Sequence, residues 1–337
     1  MADCDRPPTG LALGAPRCCR IHKQPLSSTP ASPAGVCIAA AAAMQTSTTA
    51  ITMACRLPKR AVEYTPVTRG YNSIGGNAVL LLQASIYDFP KYYDLAFGSD
   101  WKAEFDFLLA CFARHARRRV RCLFEPACGT GRLLVKFAQA GYRVLGQDLN
   151  RKAVDYCNAR LLRHGFRPSV EVADMADFRL TRPADAAFNM INSFRHLSSE
   201  AQAEAHLQCV AAALGPGGLY ILGITLTPAG KSSCDGESWS AHRGYLAINS
   251  HVRSIAIDHR RRQERVSTTY DIYTPTRSAQ IVGESLFRTY SARQFQRLLA
   301  RIPALELVAC YDFAYDIERP VRMDRRSEDV VCVLRRI

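Results

Sequence analysis

The sequence predicts an α/β fold with a doubly wound, mostly parallel sheet of seven strands and an antiparallel β insertion after the fifth strand. From residue 120 onward, short apolar runs alternate with segments whose apolar residues recur at helical spacing, which is typical of parallel strands joined by helices. A glycine turn joins the first strand to its helix. Within residues 225–289, the stretches 245–257 and 266–273 have apolar residues at alternate positions, which indicates antiparallel strands.

Local signals mark the ends of several elements. Ser199 with Gln202 and Ser291 with Gln294 are capping-box pairs, in which each side chain caps a helix start. Gly141 follows the helix after the glycine turn, as expected for a helix end. We expect strands at residues 120–124, 143–146, 170–172, 186–191, 219–224, 305–313 and 329–334, and helices at residues 101–112, 132–140, 152–162, 200–214 and 291–301.

The composition is that of a soluble globular protein, with 48% hydrophobic and 22% charged residues. The longest apolar run, residues 36–44, is far shorter than the roughly 20 residues that span a bilayer, so we expect neither a transmembrane helix nor a membrane partner. Residues 63–337 are expected to form the folded domain. The oligomeric state does not follow from the sequence.

Residues 1–62 have a different texture, with Asp3 and Asp5 as their acidic residues and many Ser, Thr, Pro and Ala. Such a segment fits a disordered extension or an over-long start of the gene, and it also fits an organelle-targeting peptide. We expect a cytoplasmic location, with organelle targeting as the alternative.

The formal net charge of +14 raises the question of a nucleic-acid partner. Lysine contributes seven of the 44 basic residues, and arginines are scattered through every segment rather than clustered. The arginines at 260, 261, 262 and 265 fall near the expected turn of the insertion and fit either a solvated hairpin end or a contact with an anion. Nucleic acid is therefore not the favoured partner, although the charge allows it.

The 13 cysteines do not indicate a metal or a disulfide framework. Their number is odd, and no Cys-x-x-Cys pair occurs. We therefore expect no metal site and a reducing compartment.

The segment that carries chemistry is the glycine turn, Glu125-Pro-Ala-Cys-Gly-Thr-Gly131. Glycines allow the close approach of a ligand to the backbone. Dinucleotide sites of this kind have a third glycine three residues after the second, but Leu134 stands there. A pyrophosphate-binding turn is thus disfavoured.

This turn resembles the first motif of the class I, Rossmann-like S-adenosylmethionine-dependent methyltransferases, which have an acidic residue followed by a Gly-x-Gly turn. The resemblance implies S-adenosyl-L-methionine as cofactor. It also implies that Ala127, Gly129 and Gly131 bring the backbone to the methionine part of the cofactor and that Glu125 is associated with its ammonium group.

Two further acidic positions match the order of motifs in that family. Asp148 follows Gly131 by 17 residues at the end of the second strand, where an acid accepts hydrogen bonds from ribose hydroxyls, and Leu149 would pack on the adenine. After the third strand, Asp174 would meet the adenine amino group and Met175 would line its face.

The fourth strand would end beneath the transferred methyl group, since ligands of such sheets bind outside the carboxyl ends of strands. By resemblance, Asn192 would line the methionine half and His196 would serve as a base, although His196 also fits an ordinary polar residue near a helix. Tyr93, preferred over Tyr92 in an aromatic Tyr-Asp segment, would cover the cofactor, because an aromatic ring attracts a sulfonium.

These residues predict methyl transfer to an oxygen or nitrogen of an unidentified acceptor, most simply a small molecule. The insertion, 225–289, would form a lid over the acceptor. The alternatives are a non-catalytic S-adenosylmethionine-binding protein of the same fold and a nucleotide-dependent Rossmann enzyme. Methylation of base amino groups is disfavoured, because Asn192-Ser-Phe-Arg195 stands where the Asn/Asp-Pro-Pro-Tyr/Phe motif is expected.

Overall fold

A computed structural model describes residues 68–337 except 75, 76, 100, 229 and 231–235. The predicted extension, residues 1–62, lies outside the described residues. In order along the chain, the strands are β1 Thr68–Ile74, β2 Asn77–Gln83, β3 Cys122–Pro126, β4 Arg143–Asp148, β5 Val170–Val172, β6 Ala184–Asn189, β7 Leu214–Thr225, β8 Gly236–Arg243, β9 Leu246–Asp258, β10 Gln263–Thr274, β11 Arg277–Arg288, β12 Leu305–Tyr311 and β13 Asp329–Arg336. The helices are α1 Pro90–Phe97, α2 Trp101–His115, α3 Arg132–Gln139, α4 Arg151–Arg163, α5 Glu200–Ala213 and α6 Ala292–Ala300.

Seven strands form the sheet that the sequence predicts, in the order β12-β13-β7-β6-β3-β4-β5. The five strands from β7 to β5 are parallel to one another, and β13 pairs antiparallel with β7 and with β12. The order changes direction beside β3, so the crevice at the carboxyl ends of β3 and β6 is the expected place for a ligand. The predicted α/β class and seven-stranded sheet are confirmed.

Apolar side chains cover both faces of this sheet. Phe124, Tyr220 and Phe295 belong to the cluster on one face, and Phe137 and Phe188 belong to the cluster on the other. A sheet that is buried on both faces explains why its strands appear in the sequence as continuous apolar runs.

The predicted antiparallel insertion is also confirmed, but its sheet has six strands in the order β1-β2-β11-β10-β9-β8. Two of them, β1 and β2, precede the seven-stranded sheet in the chain and were not predicted. Strand β2 pairs with β11 in parallel, with Leu80 opposite Ala279. This pairing joins distant parts of the chain, so no local pattern announces it. We call this six-stranded sheet the insertion sheet.

Helix α1 packs on the insertion sheet through a third apolar cluster, which includes Leu95, Ala96, Ile248, Tyr270 and Ile281. This contact places α1 between the two sheets, next to the glycine turn.

Both predicted capping boxes are present, with each serine oxygen accepting from the glutamine backbone N–H three residues later. Of the arginines near the turn between β9 and β10, Arg260 and Arg261 are exposed, whereas Arg262 pairs with Glu200 on α5 at 2.7 Å. Within the described ranges, no helix is long and apolar enough to cross a membrane.

Candidate active site

The turn after β3 has a conformation that glycine tolerates best. Gly131 has a φ of +69°, and a Cβ atom built on it would lie 2.1 Å from Sγ of Cys157 on α4. Ala127 and Gly129 also have positive φ angles, 52° and 54°. Glycine is therefore required at position 131 both for its backbone angle and for the space beneath α4.

The carboxylate of Asp148 connects this turn to the loop after β4. Its two oxygens accept hydrogen bonds from the backbone N–H groups of Gly129 and Asn150, each at 2.8 Å. Burial raises the pKa of Asp148, and the two hydrogen bonds oppose that rise because they favour the charged form. Each oxygen keeps lone-pair capacity for a ligand's hydroxyl groups.

Two half-buried side chains of opposite charge type flank the turn, each with one buried atom that has no hydrogen-bond partner among the described residues. These atoms are Oε2 of Glu125 and Nη1 of Arg132. The other guanidinium nitrogen of Arg132 donates to Glu104 at 2.7 Å. Burial raises the pKa of Glu125 well above its ordinary value, and Arg132 offsets part of the rise. Because such unpaired groups are costly when buried, they indicate a ligand that carries both charges.

The loop after β5 is fixed by α5. Oδ1 of Asp174 accepts from the N–H of Ala176 at 2.8 Å, and the carbonyl of Met175 lies 2.8 Å from Nδ1 of His206. Burial lowers the pKa of His206 to about 4, so the ring is neutral. A neutral ring that donates to Met175 through Nδ1 accepts from the hydroxyl of Tyr220 at Nε2, which is 2.8 Å away.

The loops after β4 and β6 present the remaining predicted residues. Leu149 is 47% exposed beside Asp148. The amide of Asn192 is engaged with Thr225 through both its nitrogen and its oxygen, at 2.8 and 2.7 Å. Asn189, buried at the end of β6, donates to the carbonyl of Pro126 at 2.7 Å, and its Oδ1 has no partner in the described part of the chain.

Aromatic rings cover the glycine turn from the side of α1. Cε1 of Tyr93 lies 3.4 Å from the position that a Cβ of Gly129 would occupy. The ring centroid of Tyr87 is 5.3 Å from that of Tyr93, whereas Tyr92 stacks on Phe89. Of the two tyrosines considered from the sequence, Tyr93 is thus the one that lies on the turn.

His196 lies in the short 3-10 turn after β6, at the open side of this cleft. Its Nε2 is 3.1 Å from the hydroxyl of Tyr87, and its ring contacts Phe287 of β11 with centroids 4.8 Å apart. His196 is exposed at the cleft, and the protein atoms packed around the ring, together with the neighbouring Arg195, lower the pKa of His196 to about 4. The imidazole is therefore neutral near pH 7 and able to accept a hydrogen bond.

The same turn docks on the insertion sheet. Arg195 forms an ion pair with Glu264 of β10, and its Nε donates to the carbonyl of Arg288 at 3.1 Å. The insertion therefore borders the cleft beside His196.

Several residues of the cleft escaped prediction. Arg132, Asn150 and Asn189 were not singled out, and Tyr87 entered only as part of an aromatic segment. Asn189 is a polar residue at the end of an otherwise apolar strand, and Arg132 directly follows the glycine turn. These two residues could therefore have been predicted from the sequence. The contact between Tyr87 and His196 could not, since it depends on how the two sheets meet.

A separate cavity of about 290 Å³ lies on the other face of α1, lined by Lys91, Leu95, Arg243 and Leu246 among others. It contains none of the predicted site residues. The cleft around Asp148 and His196 thus remains the candidate active site.

Residues 124–218 match the family model described as a methyltransferase domain. Among curated proteins, a dTDP-3-amino-3,6-dideoxy-alpha-D-glucopyranose N,N-dimethyltransferase from Streptomyces fradiae is 28% identical over 188 residues, which cover 47% of this chain and 70% of that protein. Residues 124–218, which match the family model, contain the glycine turn and every predicted site residue from Asp148 to His196.

Solved structures share the fold. An S-adenosylmethionine-dependent methyltransferase from Clostridium acetobutylicum aligns with a TM-score of 0.60 and 15% identity over 73% of this chain and 97% of that one. An amino pentose methyltransferase from Micromonospora echinaspora aligns with a TM-score of 0.58 and 19% identity over 74% and 96% of the two chains. At these identities the likeness establishes the fold.

Proposed function

We propose that this chain, a class I S-adenosylmethionine-dependent methyltransferase, transfers methyl groups to the amino nitrogen of a small molecule, with an amino sugar as the favoured acceptor class. The observation that carries the proposal is the pair of buried, unpartnered atoms Glu125 Oε2 and Arg132 Nη1 beside the glycine turn. The methionine end of the cofactor is a zwitterion. Its ammonium fits the carboxylate of Glu125, and its carboxylate fits the guanidinium of Arg132.

The other cofactor contacts follow from position. In this proposal Asp148 holds the ribose hydroxyls, Leu149 and Met175 lie against the adenine, and Asp174 accepts from its amino group. Asn192 would line the methionine half through its backbone, because its amide is engaged with Thr225, and Oδ1 of Asn189 is a further acceptor there. Backbone contacts come from Ala127, Gly129 and Gly131, and Tyr93 covers the turn.

When bound, S-adenosylmethionine supplies a methyl group whose bond to the sulfonium sulfur breaks as the acceptor nitrogen's lone pair forms the new bond. The residues mainly provide proximity and orientation, which contribute up to roughly 7 to 11 kcal/mol. The ring of Tyr93 beside the glycine turn stabilises positive charge by about 1 kcal/mol. Methyl transfer of this kind therefore needs little acid–base catalysis from the protein.

His196 and Tyr87 would orient the acceptor. With Nε2 of the neutral imidazole accepting from the Tyr87 hydroxyl, the phenolic oxygen accepts a hydrogen bond from an amine N–H and so directs the nitrogen lone pair toward the methyl group. The methylated product is an ammonium ion, and its proton leaves toward His196 or the water at the open side of the cleft. With a pKa near 4, His196 is a weak base, so the amine must arrive unprotonated.

The insertion would form the lid over the acceptor. Support comes from Phe287, which contacts His196, and from Arg195, which anchors the 3-10 turn to the insertion sheet. The amino-sugar class is supported by the curated relative, whose name describes N,N-dimethylation of a 3-amino sugar nucleotide.

The test is a mass-spectrometric assay with S-adenosylmethionine and dTDP-3-amino-3,6-dideoxy-α-D-glucopyranose as the acceptor. The expected product gains one or two methyl groups on nitrogen, and the matching sugar nucleotide with a 3-hydroxyl group gains none. Methylation of the hydroxyl compound but not of the amine would overturn the choice of nitrogen.

Calorimetric titration separates the cofactor from the acceptor. S-adenosylhomocysteine should bind the wild-type protein and bind Asp148→Ala far more weakly, while NAD should bind neither. Binding of S-adenosylhomocysteine without transfer to a panel of amines would instead indicate a non-catalytic binding protein, and binding of NAD alone would indicate a nucleotide-dependent enzyme.

A further inference from the structure

Residues 84–89, here called the connecting segment, run from β2 to α1 and carry Tyr87. The segment begins on the insertion sheet, where the N–H of Ala84 donates to the carbonyl of Val282 at 3.0 Å. Ile86 is 5% exposed and packs in the apolar cluster beneath α1. One side of the segment is therefore fixed by the insertion sheet and α1.

Its other side is fixed by the loop that carries Asp148. Nδ2 of Asn150 donates to the carbonyl of Tyr87 at 2.9 Å, and Nζ of Lys152 lies 3.2 Å from Oδ1 of Asp88. The lysine side chain is 61% exposed and that of Asp88 is 9% exposed, and this ion pair contacts the Asp88 side chain rather than the backbone of Tyr87. The amide of Asn150 is the group of this loop that holds the Tyr87 backbone directly.

Asn150 joins three structures at once. Its backbone N–H donates to Oδ1 of Asp148 at 2.8 Å, its side-chain oxygen accepts from the N–H of Lys152 at 2.9 Å and so caps α4, and its amide nitrogen holds Tyr87. Helix capping needs only the oxygen. The amide nitrogen is available for a different task.

That task follows from where Tyr87 points. Its hydroxyl lies 3.1 Å from Nε2 of His196, near the long end of the range for such hydrogen bonds. A displacement of the Tyr87 backbone by one ångström would break this contact. The carbonyl that Asn150 holds belongs to the same residue, so the bond fixes the point from which the phenol reaches out.

We propose that Asn150 is a positioning residue that couples the ribose-binding loop to the Tyr87–His196 pair, so that the loop holding the cofactor also orders the groups facing the acceptor. The coupling rests on the proposed function for the roles of Asp148 and of the pair. The hydrogen-bonded chain itself, from Asp148 through Asn150 and Tyr87 to His196, does not depend on that function.

The test is Asn150→Ser, because serine caps a helix as well as asparagine but is too short to reach the Tyr87 carbonyl. Histidine-selective NMR on the wild type, with His196→Gln to assign the signal, follows the titration of His196. The titratable and charged groups around it are the neutral Tyr87 on the connecting segment and Arg195 with its partner Glu264. In Asn150→Ser the pKa of His196 should rise by about one unit or more, since the hydrogen bond that Nε2 accepts from Tyr87 favours the neutral ring and a loosened Tyr87 loses it.

Two further readouts separate coupling from simple damage. Affinity for S-adenosylhomocysteine should stay close to wild type, while turnover of the 3-amino sugar nucleotide should fall by about tenfold to a hundredfold. Lys152→Gln, which removes the ion pair between the first turn of α4 and the Asp88 side chain and keeps the hydrogen bond to the Tyr87 carbonyl, should change neither the titration of His196 nor turnover. Asn150→Asp keeps the capping oxygen and lacks the amide donor. It should therefore also raise the pKa of His196.

An unchanged His196 titration in both Asn150 variants would overturn the inference, as would an ordinary His196 titration in the wild type. Because the titration is measured without cofactor or acceptor, it also distinguishes the two proposals. A wild-type protein that binds no S-adenosylhomocysteine but shows the Asn150-dependent shift would refute the proposed cofactor site and leave this link intact.

Discussion

The hydroxyl of Tyr87 meets Nε2 of His196 at 3.1 Å, across 109 residues of sequence. Tyr87 comes from the segment leading out of the insertion sheet, and His196 comes from the turn after β6. Burial raises the pKa of Tyr87 to about 12, so its hydroxyl keeps its proton and can donate to the neutral imidazole. The contact forms where the two sheets meet.

We expect Tyr87→Phe and His196→Gln each to lower kcat for the amine acceptor by about tenfold or more, because the acceptor loses its orienting partner. Affinity for S-adenosylhomocysteine should stay near that of the wild type. Steady-state kinetics and calorimetry on the same preparations check both statements. A loss of cofactor affinity equal to the loss of turnover would argue for a purely structural role.

The pH dependence of the wild type follows from the pKa of His196, which is lowered to about 4. The imidazole is neutral above that pH and becomes charged only below it. Between pH 5 and 8, kcat/KM should therefore rise with pH along the titration of the acceptor amine, not of His196. Acceptors with different amine pKa values should shift the profile, and a profile independent of the acceptor would contradict this assignment.

Arg132→Gln should lower the affinity for S-adenosylhomocysteine by about tenfold or more, because a charge-assisted hydrogen bond to the ligand's amino acid carboxylate is lost. The affinity for 5′-methylthioadenosine, which lacks the amino acid, should change little. Glu104→Gln is the matched control, since it removes the negative charge beside Arg132 and keeps the guanidinium. Equal losses for both ligands in Arg132→Gln would place the arginine elsewhere in the site.

Gly131→Ala should lower the free energy of unfolding by roughly 2 to 4 kcal/mol, through backbone strain and overpacking. The new methyl group would lie 2.1 Å from Sγ of Cys157. Adding Cys157→Ala to Gly131→Ala should restore the part of the free energy of unfolding that is lost through overpacking. Gly141→Ala is the control, because Gly141 also has a positive φ, +88°, but nothing lies within 4 Å of its Cβ position. It should cost about 1 kcal/mol, as measured by urea unfolding.

Asp94→Asn should destabilise the protein by about 3 kcal/mol, because it leaves Arg160, whose side chain is 16% exposed, without its counter-charge. Asp94 is 3% exposed and pairs with Arg160 at 2.6 Å and Arg243 at 3.0 Å. Asp155→Asn, which removes an exposed pair with Arg151, should cost no more than about 0.5 kcal/mol. Similar losses of the free energy of unfolding in Asp94→Asn and Asp155→Asn would show that the ion pairs of Asp94 contribute little to stability.

His206 should make stability depend on acidity. Its pKa is lowered by burial to about 4 from an ordinary value of 6.5, so the unfolded chain binds the extra proton first as the pH falls. The contribution of the neutral His206 to the free energy of unfolding is fully present above about pH 6.5 and is lost toward pH 4. The free energy of unfolding should therefore fall by roughly 2 kcal/mol between pH 7.5 and pH 5. Urea unfolding of His206→Gln at the two pH values should lack this part of the loss. An identical pH dependence in the variant would contradict it.

The sequence predicted the seven-stranded sheet well because its inner strands β3, β6, β7 and β13 are largely buried and so appear as apolar runs. It placed the boundaries of β3 and β7 less well. We expected a strand at residues 219–224, and β7 begins at Leu214 and includes the Gly-Pro-Gly-Gly stretch, because pairing with β6, not local preference, extends it. Strands β1 and β2 pair with each other, and their place in the insertion sheet could not be predicted because β2 joins it through β11, about 200 residues away.

Within the cleft, the sequence indicated residues whose role depends on a short motif. The glycine turn, Asp148 and Asp174 occupy fixed places at the ends of consecutive strands, and parallel topology brings those ends to one edge of the sheet. The pattern could not show that the amide of Asn192 is engaged with Thr225, because that contact joins the end of β6 to the end of β7.

By itself, then, the sequence determined the fold class and the glycine turn, since these depend on hydrophobic periodicity and on a few residues close together in the chain, and the resemblance of that turn to a known family implied the cofactor. Only the tertiary structure decided which atoms are left without partners at Glu125 and Arg132, that Tyr87 reaches His196, and that Asn150 links them to the loop of Asp148. These relationships arise where two sheets and a connecting segment come together. Hydrogen bonds form over about 3 Å, and distances of that size between residues far apart in sequence are set by packing.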